Sequence, residues 1–180
     1  MRLERDQAVL LVIDVQEKFV PVIHDYPNVL DNITRAIRGA QILQLPILLT
    51  EQYPKGLGRT VAEIRDILQP CDPLEKISFS CCGEQAFMSR LKALKRRQLL
   101  VCGIETHVCV YQTCRDLLEG GYDVHLLGDC VSSRTLENRN LAINKLRSLG
   151  VQISGVEMAL FELLRVAGSG EFKLISKIVK

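Results

Sequence analysis

The chain has 180 residues, 47% of them apolar and 24% charged, with a formal charge of +2. That length suits one domain with a real core, spanning 1–180, and is short for two. Scattered Lys and Arg with only 5% aromatic residues leave nucleic-acid binding without support, and no apolar run reaches membrane-spanning length.

The charged start MRLERDQ leads straight into an apolar run and does not read as a signal peptide. That run, Ala8 to Asp14, reads as a central parallel strand with Asp14 at its carboxyl end. A turn with Pro21 and Pro27 follows, and Asn28 to Leu43 has helical spacing through Val29, Ile33, Ile37 and Ala40. Pro46 to Thr50 is the second strand, and the stretch from Glu51 to Gly58 is a loop marked by Pro and Gly. Thr60, with Glu63 three residues on, has the pattern of a cap on a short helix. Leu74 to Ser78 is a short third strand. Glu84 to Arg96 shows a helical face through Phe87, Leu91 and Leu94, and Lys95-Arg96-Arg97 places cations where a helix dipole favours them.

Gln98 to Cys102 is a buried strand that Gly103 breaks. From Thr106, Val110, Cys114, Leu117 and Leu118 line one face of a helix that Gly120-Gly121 ends. Tyr122 to Leu127 is the fifth strand, left at Gly128-Asp129. Thr135 to Leu149 is a helix ended by Gly150, Val151 to Ile153 the sixth strand, and Ser154 to Val166 contains a further helix. Gly168 and Gly170 set off a last helical piece, Glu171 to Val179. Six strands alternating with helices predict an α/β fold: an open, six-stranded parallel sheet with helices on both faces, three layers in all. The seven cysteines form no C-x-x-C pair and lie mostly inside these elements. They fit a reduced, intracellular protein better than a disulfide scaffold.

Ligands bind such sheets outside the carboxyl ends of the strands, and Asp14, Gln52, Lys76 and Cys109 all fall there. Cys109 lies in the first turn of a helix that starts where a strand ends. The positive end of a helix favours thiolate over thiol, and its free amides suit an oxyanion. Asp14 is placed to exchange a proton with the thiol, and Lys76 to lower the thiol pKa. Taken singly, a strand-end acid, a surface lysine and a buried cysteine are commonplace; their shared placement carries the reading. His107 lies two residues from Cys109, a spacing that does not face it on a helix, and reads as a hydrogen-bonded structural histidine. His24 and His125 have no supporting neighbours. Cys102, His107 and Cys109 lack zinc-ligand spacing, so no metal is expected. Cys81-Cys82 reads as loop packing beside the pocket.

The chain resembles the isochorismatase-like cysteine hydrolases, a superfamily that includes nicotinamidases. The resemblance rests on LLVIDVQEKF (Leu10 to Phe19), EKISFSCCG (Glu75 to Gly83) and VCGIETHVCV (Val101 to Val110). It implies the isochorismatase-like, Rossmann-like three-layer fold and a triad of Asp14, Lys76 and Cys109. It also implies a cis peptide between Ile104 and Glu105, with the amides of Glu105 and Cys109 as the oxyanion hole. Phe19 matches a pocket-lining position, and Gln52, Tyr53 and Phe79 are wall residues by their loop placement. Nicotinamidases carry an Asp/His metal cluster after the second strand, whereas TEQYPKGLGRT here has no His. That stretch is similar to the uncharacterised isochorismatase-domain branch.

The expected activity is cofactor-independent hydrolysis of a small amide or related C–N bond through a thioester. The alternative is a non-catalytic scaffold or redox-responsive protein of the same fold, and a nuclease, a name attached to some relatives, is a third. Expected partners are a small-molecule substrate and further copies of the chain, as a dimer, tetramer or larger ring, with neither nucleic acid nor membrane. The expected address is cytoplasmic, or mitochondrial in a eukaryote.

Overall fold

The computed structural model describes residues 2–180. Six strands are present: β1 (Ala8–Ile13), β2 (Ile47–Gln52), β3 (Leu74–Lys76), β4 (Gln98–Ile104), β5 (Asp123–Ser132) and β6 (Gln152–Ser154). They form one all-parallel sheet in the order β3-β2-β1-β4-β5-β6, as the alternation of strands and helices predicts. The helices are α1 (Tyr26–Ile42), α2 (Pro54–Leu57), α3 (Ala62–Ile67), α4 (Gln85–Ala93), α5 (Tyr111–Glu119), α6 (Leu136–Ser148), α7 (Val156–Leu164) and α8 (Gly170–Ile178). None is long and apolar enough to cross a membrane.

A strand covered on both faces has no polar side to present, which is why β1 is apolar throughout and buried at every position. Its alternate side chains serve two cores. Leu10 and Val12 pack with α1, α3, α7 and α8, while Val9, Leu11 and Ile13 pack with α4, α5 and α6. β1 lies between β2 and β4, with Leu10 opposite both Ile47 and Leu100. This doubly covered centre holds fixed the strand ends on which the site is built.

Several local expectations are corrected. β4 does not break at Gly103 but runs on to Ile104. Gly103 adopts a φ of +120°, and a Cβ there would lie 2.1 Å from the Ile13 carbonyl oxygen. It is a close-approach glycine rather than a strand end. β5 continues past Leu127 to Ser132. Val101 pairs with Leu126 and Gly103 with Val131, so Gly128 and Asp129 lie in a bulge rather than an exit turn. The bulge lets both carboxylate oxygens of Asp129 accept the Val156 amide at 3.0 Å, at the start of α7. Thr60 does not cap α3: its amide and hydroxyl both donate to Glu51 Oε1, at 2.6 and 2.8 Å. Pro27 lies inside α1, in the first turn, where its missing N–H costs no helical hydrogen bond.

Candidate active site

Asp14 follows β1 in the left-handed region, with a φ of 53°, a conformation Asp tolerates better than most residues. Its amide donates to the Thr50 carbonyl of β2 at 3.2 Å, and its carbonyl accepts the Gln16 amide at 2.9 Å. This turn directs the carboxylate into the protein. Oδ1 accepts the Thr50 hydroxyl at 2.7 Å, and Oδ2 lies 2.7 Å from Lys76 Nζ. The two charged side chains are 0% and 1% exposed.

Lys76 ends β3, opposite Gln52 of β2. Its ammonium also donates to Gln52 Oε1 at 2.6 Å and to the carbonyls of Ser78 and Phe79 at 3.2 and 3.0 Å. A lysine so enclosed, with acceptors around its head, is a fixed buried charge rather than a surface side chain. Gln52, expected as a wall residue, is also a partner of Lys76: its amide nitrogen donates to the Ile77 carbonyl at 2.7 Å, so both ends of its side chain are engaged.

Cys109 is 5% exposed and lies in a π-helical turn, Thr106–Val110, that precedes α5. The Glu105 carbonyl accepts the amides of both Val108 and Val110, at 3.1 and 3.2 Å, and closes that turn. The Ile104–Glu105 peptide bond is cis. The Cys109 thiol faces the Asp14 carboxylate, and each alters the other's titration. Burial pushes the Cys109 thiol far above its ordinary value, and the Asp14 charge adds to this; Lys76 opposes both without prevailing. Burial and the Asp14 charge thus work against the thiolate that the helix end and Lys76 favour. Burial also pushes the Asp14 carboxyl up, against the pull of Lys76, Thr50 and Cys109. The Lys76 pKa is raised, Asp14, Cys81 and Cys109 outweighing its burial.

The isochorismatase domain family matches residues 8–158. The chain belongs to the isochorismatase-domain family. It is 41% identical to the secreted isochorismatase effector Isc1 of Phytophthora sojae, over 99% of this chain and 87% of that protein. A solved structure described as the MAR1 ribonuclease of Caenorhabditis elegans is 36% identical, covers 99% of this chain and 92% of its own, and has a TM-score of 0.93. The octameric YcaC hydrolase of unknown specificity from Escherichia coli shares the fold, with a TM-score of 0.92 at 21% identity over 99% of this chain and 90% of that one. The isochorismatase-family hydrolase fold supports a hydrolytic function.

Within this isochorismatase-domain chain, Phe19 ends the short 3-10 turn Glu17–Phe19 and packs against the α1 layer. Tyr53 and Phe79 are more than half exposed. Tyr53 lines, with Pro54, Lys76 and Ile77, a cavity of about 260 Å³ beside the lysine, while Phe79 reaches Lys76 through its carbonyl. His107 Nδ1 lies 2.9 Å from the Ser133 hydroxyl, the structural role expected of it. Cys81 is buried with Sγ 4.0 Å from the Thr50 hydroxyl, and burial pushes its thiol up to about 12. All seven cysteines are free. Among the described residues, no group of three or more His, Cys, Asp or Glu is arranged to hold a metal ion.

Two residues of the arrangement carry no signal in the sequence reading. Gln16 is fully buried, and its side chain donates to the carbonyls of Gln52 and Gly58 at 2.9 and 2.7 Å and accepts the Gln52 amide at 2.8 Å. It ties the end of β1 to the end of β2. Thr50, which reads as an ordinary strand terminus, holds Asp14.

Proposed function

We propose that the protein is a cysteine hydrolase of small amides or related C–N bonds, with Cys109 as nucleophile, Asp14 as proton carrier and Lys76 as the charge that holds Asp14. The observation that carries this reading is the buried Asp14–Lys76 pair, 2.7 Å apart, facing a buried thiol at the carboxyl edge of the sheet. A carboxyl whose pKa is raised by burial is a better proton acceptor than a free one. As the Cys109 sulfur bonds to the substrate carbonyl carbon, its proton passes to Asp14. The carbonyl oxygen takes the negative charge, held by the amides of Glu105 and Cys109. Asp14 then gives the proton to the amine nitrogen as the C–N bond breaks, which leaves a thioester on Cys109. Water attacks the thioester, Asp14 takes a proton from it, and the acid product leaves with the thiol restored. Phe19, Tyr53 and Phe79 would wall the substrate site, and the chemistry needs no cofactor.

Exposed apolar side chains at this edge, Tyr53, Ile77 and Phe79, together with the octameric state of the YcaC hydrolase, support a homo-oligomer. The test of the function is ammonia release from a panel of small primary amides. Cys109→Ala is expected to reduce turnover to background, and the wild type to show an acyl adduct on Cys109 by mass. Equal rates in the two proteins would remove Cys109 from the mechanism. The same preparation assayed against RNA in the presence of a chelator separates this reading from a ribonuclease.

A further inference from the structure

The residue that supplies the proposed oxyanion amide, Glu105, has a side chain with its own fixed partner. Glu105 Oε1 accepts Arg134 Nε at 3.0 Å and the Arg134 backbone amide at 3.3 Å. His107 Nδ1, itself 2.9 Å from the Ser133 hydroxyl, lies 4.0 Å from the same oxygen. Arg134 and Ser133 belong to the segment between β5 and α6, whose start is in register with β4 through Ile104 and Ser132. That segment is also fixed on its far side. The Ser132 hydroxyl donates to the His24 carbonyl at 2.7 Å, and the His24 amide donates to the Ser133 carbonyl at 2.9 Å.

Glu105 is thus held at two points, on either side of the amide that is the proposed donor. Its carbonyl closes the turn that carries Cys109, and its carboxylate is clamped from the neighbouring strand end. The exposures of the pair are unequal: the Glu105 side chain is 10% exposed and that of Arg134 59%. A surface arginine paired with a surface acid contributes little. Here its loss would leave a nearly buried carboxylate short of a donor, beside the peptide whose orientation the chemistry needs.

We propose that Arg134 is a positioning residue: by holding the Glu105 carboxylate, it sets the direction of the Glu105 amide and so the strength of the oxyanion hole. This inference rests on the hydrolase reading above, and two probes of the same thiol distinguish the failure of either. Acylation of Cys109 by p-nitrophenyl acetate forms an S–C bond at a carbonyl, builds charge on its oxygen and releases p-nitrophenolate. Alkylation by iodoacetamide displaces iodide at a saturated carbon and has no oxyanion to hold. Both are followed at Cys109 by peptide mapping.

Arg134→Ala is expected to slow acylation by roughly ten- to a hundredfold, the scale of a misdirected catalytic group, with alkylation changed less than twofold. Arg134→Lys should recover part of the acylation rate, and Glu105→Gln should lose it as Arg134→Ala does. Parallel loss of both reactions would make the pair merely structural, and unchanged acylation would remove Arg134 from the site; either overturns the positioning role alone. Wild-type protein alkylated at Cys109 but never acylated there would overturn the hydrolase reading, and the positioning role with it.

Discussion

Asp14 is asked to do two opposed things to its neighbour. Its charge, close to a buried thiol, disfavours the thiolate, and yet it is the group that must receive the thiol proton. The sign of this coupling is testable. Removing the charge in Asp14→Asn lowers the thiol pKa toward the ordinary range, because a negative charge that disfavours the thiolate is gone and Lys76 remains to favour it. Each unit of that fall gives about tenfold more thiolate below the pKa. Alkylation of Cys109 at pH 8 should therefore be faster in Asp14→Asn than in wild type, while amide hydrolysis is lost. Slower alkylation in the variant would mean that Asp14 does not oppose thiolate formation. In wild type the alkylation rate should keep rising through the alkaline range without a plateau near neutrality. At this scale the sequence singled out Asp14, Lys76 and Cys109 as candidates: Asp14 ends an apolar run, Cys109 follows one after a short turn, and Lys76 lies in a short segment matched by its resemblance to the family. It did not show Thr50, Gln16 or the hydrogen bond from Lys76 to Gln52. Those polar side chains find their partners across strand register, and register is a property of the assembled sheet.

The element that positions most of the site is β4 with the turn after it. Apolar runs made the central strands β1, β2, β4 and β5 visible in the sequence, since a doubly covered parallel sheet allows few polar interruptions, whereas the short edge strands β3 and β6 are mostly polar. Glycine was ambiguous, because it serves both to end a strand and to admit a neighbouring backbone. At Gly103 the second use applies: the Ile13 oxygen, nitrogen and carbonyl carbon would lie 2.1, 2.7 and 2.8 Å from an added Cβ. None of these atoms belongs to a side chain that can rotate away, and the φ of +120° is itself strained for any other residue. Gly103→Ala should therefore cost about 3 kcal/mol or more, measured by urea unfolding, or abolish soluble expression. A loss under about 1 kcal/mol would show that β1 and β4 can separate here at little cost. The bulge in β5 and the π-helical turn at Cys109 were equally hidden in the sequence. Each depends on contacts with another element, the bulge through Asp129 and α7, the turn through the Glu105 carbonyl.

Across the whole molecule, the strand order explains why the site lies where it does. From β1 the chain builds outward through β2 to β3, then returns to the centre and builds the other way through β4 and β5 to β6. The carboxyl ends of β1 and β4 mark the reversal, where helices depart to opposite faces and leave a crevice. Asp14 follows β1 and Glu105 follows β4, so the candidate site occupies that crevice. Both cores hang from the same strands, and we infer that residues 1–180 form one cooperative domain. The buried cysteines report on the two layers separately: Cys102 and Cys130 lie in the layer of α1 and α7, and Cys114 in that of α4 and α5, all fully buried. Labelled with a fast thiol reagent across a urea titration, the three should become reactive at one midpoint. Phe87→Ala, which empties a fully buried position in the α4 layer, should cost about 3–5 kcal/mol and lower all three midpoints together. Were Cys102 and Cys130 to keep the wild-type midpoint while that of Cys114 fell, the layers would be separate folding units. The crevice between β1 and β4 would then have two walls able to part, and the geometry of Asp14 and Cys109 would have to be fixed by the ligand instead of the sheet.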